Sequence, residues 1–278
     1  AAILKLLITR PGDAVLTPAP QYPIYSATCA GLNARAFSYF LDEAAGWDAN
    51  RESLERALDA CRREARSPKA LVIINPGNPT GRLFRPETLA EIARFCAEHH
   101  LWLLADEVYQ ENVYAPGARF VSARRAVREA GLERTVPLVS FHSVSKGVVG
   151  ECGRRGGYIE LFGVHPAIKA VLYKLASVGL CPNVAGQVAV DLMVDPPAPG
   201  EPSHARHEAE RGAILDRLRG AARLMETRLN ALEGVACQPI EGAMYAFPRI
   251  APPPAAAARG RAPDLDYCLS LLDAAGIC

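Results

Sequence analysis

A chain of 278 residues that is 50% hydrophobic and 22% charged has the composition of an ordinary globular protein, with room for one large domain and part of another. The formal net charge of +1 speaks against a nucleic-acid or acidic-surface partner, which needs a basic stripe. No apolar run reaches the roughly 18 residues of a membrane span, and the eight cysteines form no C-x-x-C pair, so a zinc ribbon and a thioredoxin-type motif are excluded and a reduced, intracellular protein is expected.

The first nine residues read as the end of an amphipathic helix, and PGDAVLTPAP as a turn with a short strand. KALVIINPGNPTG is a buried strand running into a turn rich in Pro, Gly and Asn. Residues 86–100 open with proline and keep apolar residues at helical spacing. LWLLADEVY, VPLVSFHSVSK and GGYIELFG are further strands. Strands apolar throughout, with helices between some of them, predict an α/β fold: a mostly parallel central sheet in a three-layer large domain, residues 1–198. DPPAPGEPS marks a change of composition. A smaller α+β domain, residues 199–278, is expected after it, entered by a long helix at about 204–233. GVACQPIEGAMYAFPRI reads as strands of that domain, and APPPAAAARGRAP as a low-complexity loop. The chain opens without methionine inside a helical pattern and stops at LLDAAGIC inside an apolar one, so both ends read as cut, and the absence of a signal peptide carries little weight.

Ligands in open α/β sheets sit at the carboxyl ends of the strands. Three polar clusters fall at such ends: NPGNPTG, DEVY and SVSKG. Each alone reads equally well as a tight turn, a helix cap or a solvated lysine. Together they supply what an aromatic aldehyde with a phosphate tail requires: an amine, a carboxylate for a ring nitrogen, hydrogen-bond donors for a ring hydroxyl, and hydroxyls with an arginine for the phosphate. Only five lysines occur, at 5, 69, 146, 169 and 174, which leaves few amines for such chemistry. No P-loop or dinucleotide fingerprint is present. His99, His100, His204 and His207 read as surface helix residues, so no metal site is expected.

The order PQYPIY, NPGNPTG, ADEVY, SKG, GECGRRGGY resembles the fold-type-I pyridoxal-phosphate-dependent aminotransferases, and SFHSVSKG, LCPNVAGQVAVDLMV and EGAMYAFPRI are most similar to the alanine aminotransferases among them. The resemblance implies pyridoxal 5'-phosphate as cofactor and amino acids and 2-oxo acids as small-molecule substrates. It implies transfer of the amino group of L-alanine to 2-oxoglutarate, giving pyruvate and L-glutamate, in a homodimer with no nucleic-acid or membrane partner. Carried over residue by residue, Lys146 bonds the cofactor and moves the proton, Asp106 pairs with the ring nitrogen, and Tyr109 and Asn78 serve the ring hydroxyl. Tyr22 stacks on the ring. Ser143 and Ser145 are both candidates for the phosphate, as is Arg155, which the G-x-R-x-G-Y spacing favours over Arg154, although the count forward from Lys146 favours Arg154. The catalytic set is thus Lys146, Asp106 and Tyr109. Val148 and Val149 stand where an aromatic residue is expected near the cofactor. Further phosphate contacts and the arginine for the substrate α-carboxylate are expected in segments outside the chain, so the chain alone is expected to lack full activity. Two other readings stay open: a glutamate:glyoxylate aminotransferase, and an aminotransferase-like domain that binds the cofactor for regulation. The cytoplasm is the expected compartment, with mitochondrion and peroxisome left open because both ends read as cut.

Overall fold

The computed structural model describes residues 2–251 and 262–277. The low-complexity stretch therefore lies almost wholly outside the described residues. Five parallel strands and one antiparallel edge strand form the central sheet, in the order β2-β1-β3-β4-β5-β6. They are β1 (Asp13–Ala19), β2 (Arg35–Phe40), β3 (Ser67–Ile74), β4 (Trp102–Asp106), β5 (Leu138–Ser143) and β6 (Gly157–Phe162). The middle of β3, Leu71 to Ile73, is completely buried. Its side chains alternate between two cores, as the two-residue period of a strand dictates. Leu71 and Ile73 join the first core, and Val72 and Ile74 the second. A strand with apolar residues on both faces needs cover on both, hence the three layers.

On the first face lie α3 (Arg51–Arg63), α4 (Pro86–Glu98) and α5 (Ala123–Glu129). Helix α3 buries Leu54, Ala57, Leu58 and Cys61, one stripe at helical spacing. The Asn50 side chain caps its start by accepting from the Ser53 N–H at 2.9 Å. Pro86 begins α4, where its missing N–H costs nothing. The second face is covered by α1 (Ala2–Leu7), α2 (Ile24–Gly31) and Leu172 of α6 (Pro166–Val178). Helix α7 (Val184–Val194) follows.

The long helix, α8, runs from His204 to Asn230, and none of its residues is fully buried. It rests on a small cluster of Tyr114, Cys237 and Ile240 through half-buried Leu218, Ala222 and Leu229. After it, the expected strands shrink to a two-residue antiparallel pair, β7 (Val235–Ala236) with β8 (Arg249–Ile250). The residues between them take another course. Pro239 has no N–H to give a ladder, and the N–H groups of Glu241 and Gly242 both donate to Gly81 O, at 2.9 Å each. Helix α9 (Pro263–Ala275) completes the described chain.

Candidate active site

The strand order reverses between β1 and β3, and an open cavity of about 390 Å³ lies beyond the carboxyl ends of β1, β3, β4 and β5. All eight residues singled out from the sequence line it: Tyr22, Asn78, Asp106, Tyr109, Ser143, Ser145, Lys146 and Arg155. The sheet does the gathering. Asp106 ends β4 in register with Ile74 of β3 and Phe141 of β5, so the loops after all three strands start at one level.

The Asp106 carboxylate faces the cavity with one oxygen, Oδ2, accepting from the Tyr25 hydroxyl at 2.7 Å. Burial raises its pKa above the ordinary carboxylate value, against the opposing pull of the Tyr25 hydroxyl and the Val108 N–H. In return, burial and the Asp106 charge push the Tyr25 hydroxyl well above 10. Tyr25 therefore keeps its proton and stays a donor. A half-buried carboxylate with one oxygen already served calls for a cationic or N–H partner on the cavity side.

Lys146 is half-buried, and its amine has no hydrogen-bond or ion-pair partner among the described residues. Gly147 follows in a left-handed conformation, φ +67°. Tyr109, 1% exposed, meets the Tyr245 hydroxyl through its own, and the Asn78 amide donates to the same Tyr245 oxygen at 3.3 Å. Burial is the main cause that raises the Tyr109 pKa.

The cationic end of the cavity is built by the turn after β5. A single 3₁₀ turn, Cys152–Arg154, is capped by Arg155 in a left-handed conformation, φ 53°. Such backbone for a non-glycine residue is held by its surroundings. Arg155 Nη1 donates to Cys152 O at 2.8 Å and to Ser145 Oγ at 3.4 Å, and the Ser145 N–H donates to Ser143 Oγ at 3.2 Å. Arg154 points elsewhere: it pairs with Glu151 at 3.4 Å and lines a separate, largely apolar cavity between α7 and α8. Val148 and Val149 line that second cavity too. The turn is clamped by α7: a Cβ on Gly156 would stand 2.5 Å from Gly186 O. The Asn183 side chain caps α7 and also donates to Arg154 O at 3.0 Å.

Next to Asp106, Glu107 sits on the opposite side of the sheet, 4% exposed, and its Oε1 accepts from the Ala123 N–H at 2.7 Å. Burial pushes its pKa up to about 7, and the nearby charges of Glu160 and Asp106 add to the rise.

Sequence reasoning missed Tyr25 and Tyr245. Tyr25 stands three residues after Tyr22 in PQYPIY, and its spacing was the one available signal. Nothing in EGAMYAF announces that the Tyr245 hydroxyl reaches Tyr109 across 136 residues.

A family model, aminotransferase class I and II, matches residues 1–277. The chain belongs to the class I and II aminotransferases. Within this family it is 51% identical to a probable mitochondrial alanine aminotransferase of Dictyostelium discoideum, over 99% of this chain and 53% of the relative. It is 47% identical to the human alanine aminotransferase 1, over 99% of this chain and 57% of that protein. The chain thus spans about half the length of the curated aminotransferases it matches. Among solved structures, an alanine aminotransferase from Pyrococcus furiosus aligns with a TM-score of 0.78 at 25% identity, covering 98% of this chain and 63% of that one. An aspartate aminotransferase from Rhizobium meliloti shares the fold, with a TM-score of 0.76 at 24% identity over 97% of this chain and 62% of that one. No helix among the described residues is long and apolar enough to cross a membrane.

Proposed function

We propose that the protein moves the amino group of L-alanine to 2-oxoglutarate, giving pyruvate and L-glutamate, with pyridoxal 5'-phosphate held in the cavity beyond β3, β4 and β5. The observation that carries the reading is the meeting, in one cavity, of an amine unpartnered among the described residues and a half-buried carboxylate, with a cation and hydroxyls at the other end. Near-half identity to alanine aminotransferases supports the choice of amino donor.

The donor set fits the cofactor. The Asp106 carboxylate suits a protonated ring nitrogen, Arg155 with Ser143 and Ser145 suits a phosphate dianion, and Tyr22 offers an aromatic face. When bound, the cofactor supplies an aldehyde for condensation with amines and a ring that accepts electrons from the substrate α-carbon. Lys146 Nζ is the group that would take the substrate α-proton, since Lys146 lines the cavity and its amine has no competing partner among the described residues. The Asp106 carboxylate would hold positive charge on the ring side, with Tyr25 fixing its orientation through Oδ2. Tyr109 and Asn78 donate to the ring oxygen.

On the same reading, the chain divides near residue 198 into a large cofactor-binding domain and a smaller one entered through α8. Exposed Val171, Tyr173, Val188 and Leu192 on α6 and α7 support a homodimer. The seven described cysteines are all free, which supports a reducing, intracellular location.

The test is an absorbance titration of the protein with pyridoxal 5'-phosphate, followed by L-alanine. A bound chromophore that is consumed by alanine with stoichiometric pyruvate supports the proposal. A chromophore that ignores alanine but responds to glutamate or another amino acid moves the substrate. No bound chromophore refutes the reading.

A further inference from the structure

Tyr245 belongs to a segment, residues 239–245, that is bound tightly to loops from the first half of the chain. The Ala243 N–H donates to Asn112 O at 2.9 Å, and the Tyr114 N–H to Glu241 O at 3.0 Å. The Leu83 N–H donates to Glu241 Oε2 at 2.9 Å, and Arg82 Nη1 to Pro239 O at 3.1 Å. The Tyr114 hydroxyl donates to Ala243 O. At Gly242 a Cβ would lie 2.3 Å from Asn112 O, so the backbones approach as only glycine permits.

This anchoring brings the Tyr245 ring edge-on to that of Tyr109, with centroids 5.5 Å apart. Tyr245 does not line the cavity; it stands behind two residues that do, Tyr109 and Asn78. Either hydroxyl can be the donor in this contact, and a count of protons shows what each arrangement leaves for the cavity. A phenolic hydroxyl has one proton to give and lone pairs to receive. Asn78 donates to the Tyr245 oxygen, and a contact between two hydroxyls needs one proton. If Tyr245 gives its proton to Tyr109, the Tyr109 proton is left to donate into the cavity. The second Asn78 N–H is unspent in the same way.

We propose that Tyr245 is a positioning residue. It spends its proton on Tyr109 so that Tyr109 donates to an anionic oxygen on an aromatic ligand. The inference rests on the cofactor reading above and assigns a residue that acts through Tyr109 without touching the ligand.

The experiment compares the wild type, Tyr245→Phe, Tyr109→Phe and the double variant, each as the full chain reconstituted with pyridoxal 5'-phosphate. Cofactor affinity and the pH titration of the bound chromophore are measured without substrate. A Tyr109 hydroxyl that has lost its orientation stabilises the ring oxygen less, so the chromophore gives up its proton at higher pH. Tyr245→Phe is expected to raise the apparent pKa by about half a unit to one unit and to weaken cofactor binding about three- to tenfold. The double variant is expected to match Tyr109→Phe alone, because one hydroxyl acts through the other. Incorporating 3-fluorotyrosine at 245 keeps the shape, makes a stronger donor, and is expected to move the titration the opposite way. Effects that add in the double variant, or a Tyr245→Phe titration that superimposes on the wild type, overturn the inference while leaving the cofactor reading intact. A wild type with no bound chromophore overturns that reading, and this inference with it.

Discussion

Replacing Glu107 by glutamine should make the protein more stable, and increasingly so as the pH rises. Glu107 is 4% exposed, and its pKa is pushed from 4.5 up to about 7. The folded state therefore holds a proton that the unfolded state has released, and stability falls as pH rises from about 4.5 to about 7. A rise of about 2.5 units at 1.36 kcal/mol per unit amounts to about 3 kcal/mol lost once the carboxylate is forced to ionise. Glutamine keeps the oxygen that accepts from the Ala123 N–H at 2.7 Å, so the start of α5 stays capped. The variant's advantage should grow from about 1 kcal/mol at pH 5 to about 3 kcal/mol at pH 8. At pH 8 that is a gain of about 5–10 °C in melting temperature. Thermal unfolding of both proteins followed by circular dichroism from pH 5 to pH 8 measures the difference, in which all other titrating groups cancel. A difference that is flat with pH, or that favours the wild type at pH 8, would refute the claim that burial dominates this carboxyl.

Lys146→Ala should abolish alanine-dependent pyruvate release while still binding pyridoxal 5'-phosphate, as seen by retained absorbance after gel filtration. Asp106→Asn should lower kcat by about 10³-fold, about 4 kcal/mol of barrier, in a steady-state assay. Tyr25→Phe removes the 2.7 Å bond to Asp106 and should cost about tenfold in kcat, with the Asp106 carboxyl rising further in pKa; an unchanged pH–rate profile counts against it. Gly156→Ala drives a methyl to 2.5 Å from Gly186 O, so the turn carrying Arg155 and helix α7 should separate, with weaker cofactor binding and a loss of about 2 kcal/mol in urea unfolding.

Most of the sheet was legible in the sequence because its central strands are apolar on both faces, and that pattern has one common solution; β2, at the edge with Arg35, Ser38 and Phe40 exposed, was not read as a strand. The site was legible for the same reason: strands of a parallel sheet end at one level, so three polar clusters at strand ends in the sequence become neighbours in space. The region after α8 was harder. Its residues alternate as strand residues do, yet Pro239 and Gly242 divert the chain to hydrogen-bond partners on Gly81 and Asn112. Local pattern carries no information about partners more than a hundred residues away. Spacing alone left Arg155 and Arg154 both open, the count back from GGY favouring the first and the count forward from Lys146 the second; the two side chains reach different cavities from a turn in which Arg155 has a left-handed φ of 53°, a property of the turn's tertiary setting. Tyr25 needed knowledge of which face of α2 meets the end of β4.

The long-range ties of residues 239–245 also set a schedule for making the protein. Asn78 waits 167 residues for its partner and Tyr109 waits 136. Closing a loop of that size costs about 4–5 kcal/mol of chain entropy before any contact repays it, so the ties are expected to form late. During synthesis the sheet has all six strands once Phe162 has left the ribosome. The hydroxyl that sits behind Tyr109 emerges more than eighty residues later, about four to sixteen seconds at ordinary elongation rates of roughly 5–20 residues per second. For that interval the nascent chain carries the amine and the carboxylate without the strap that orients their neighbours, and on the proposed reading cofactor capture is expected after it.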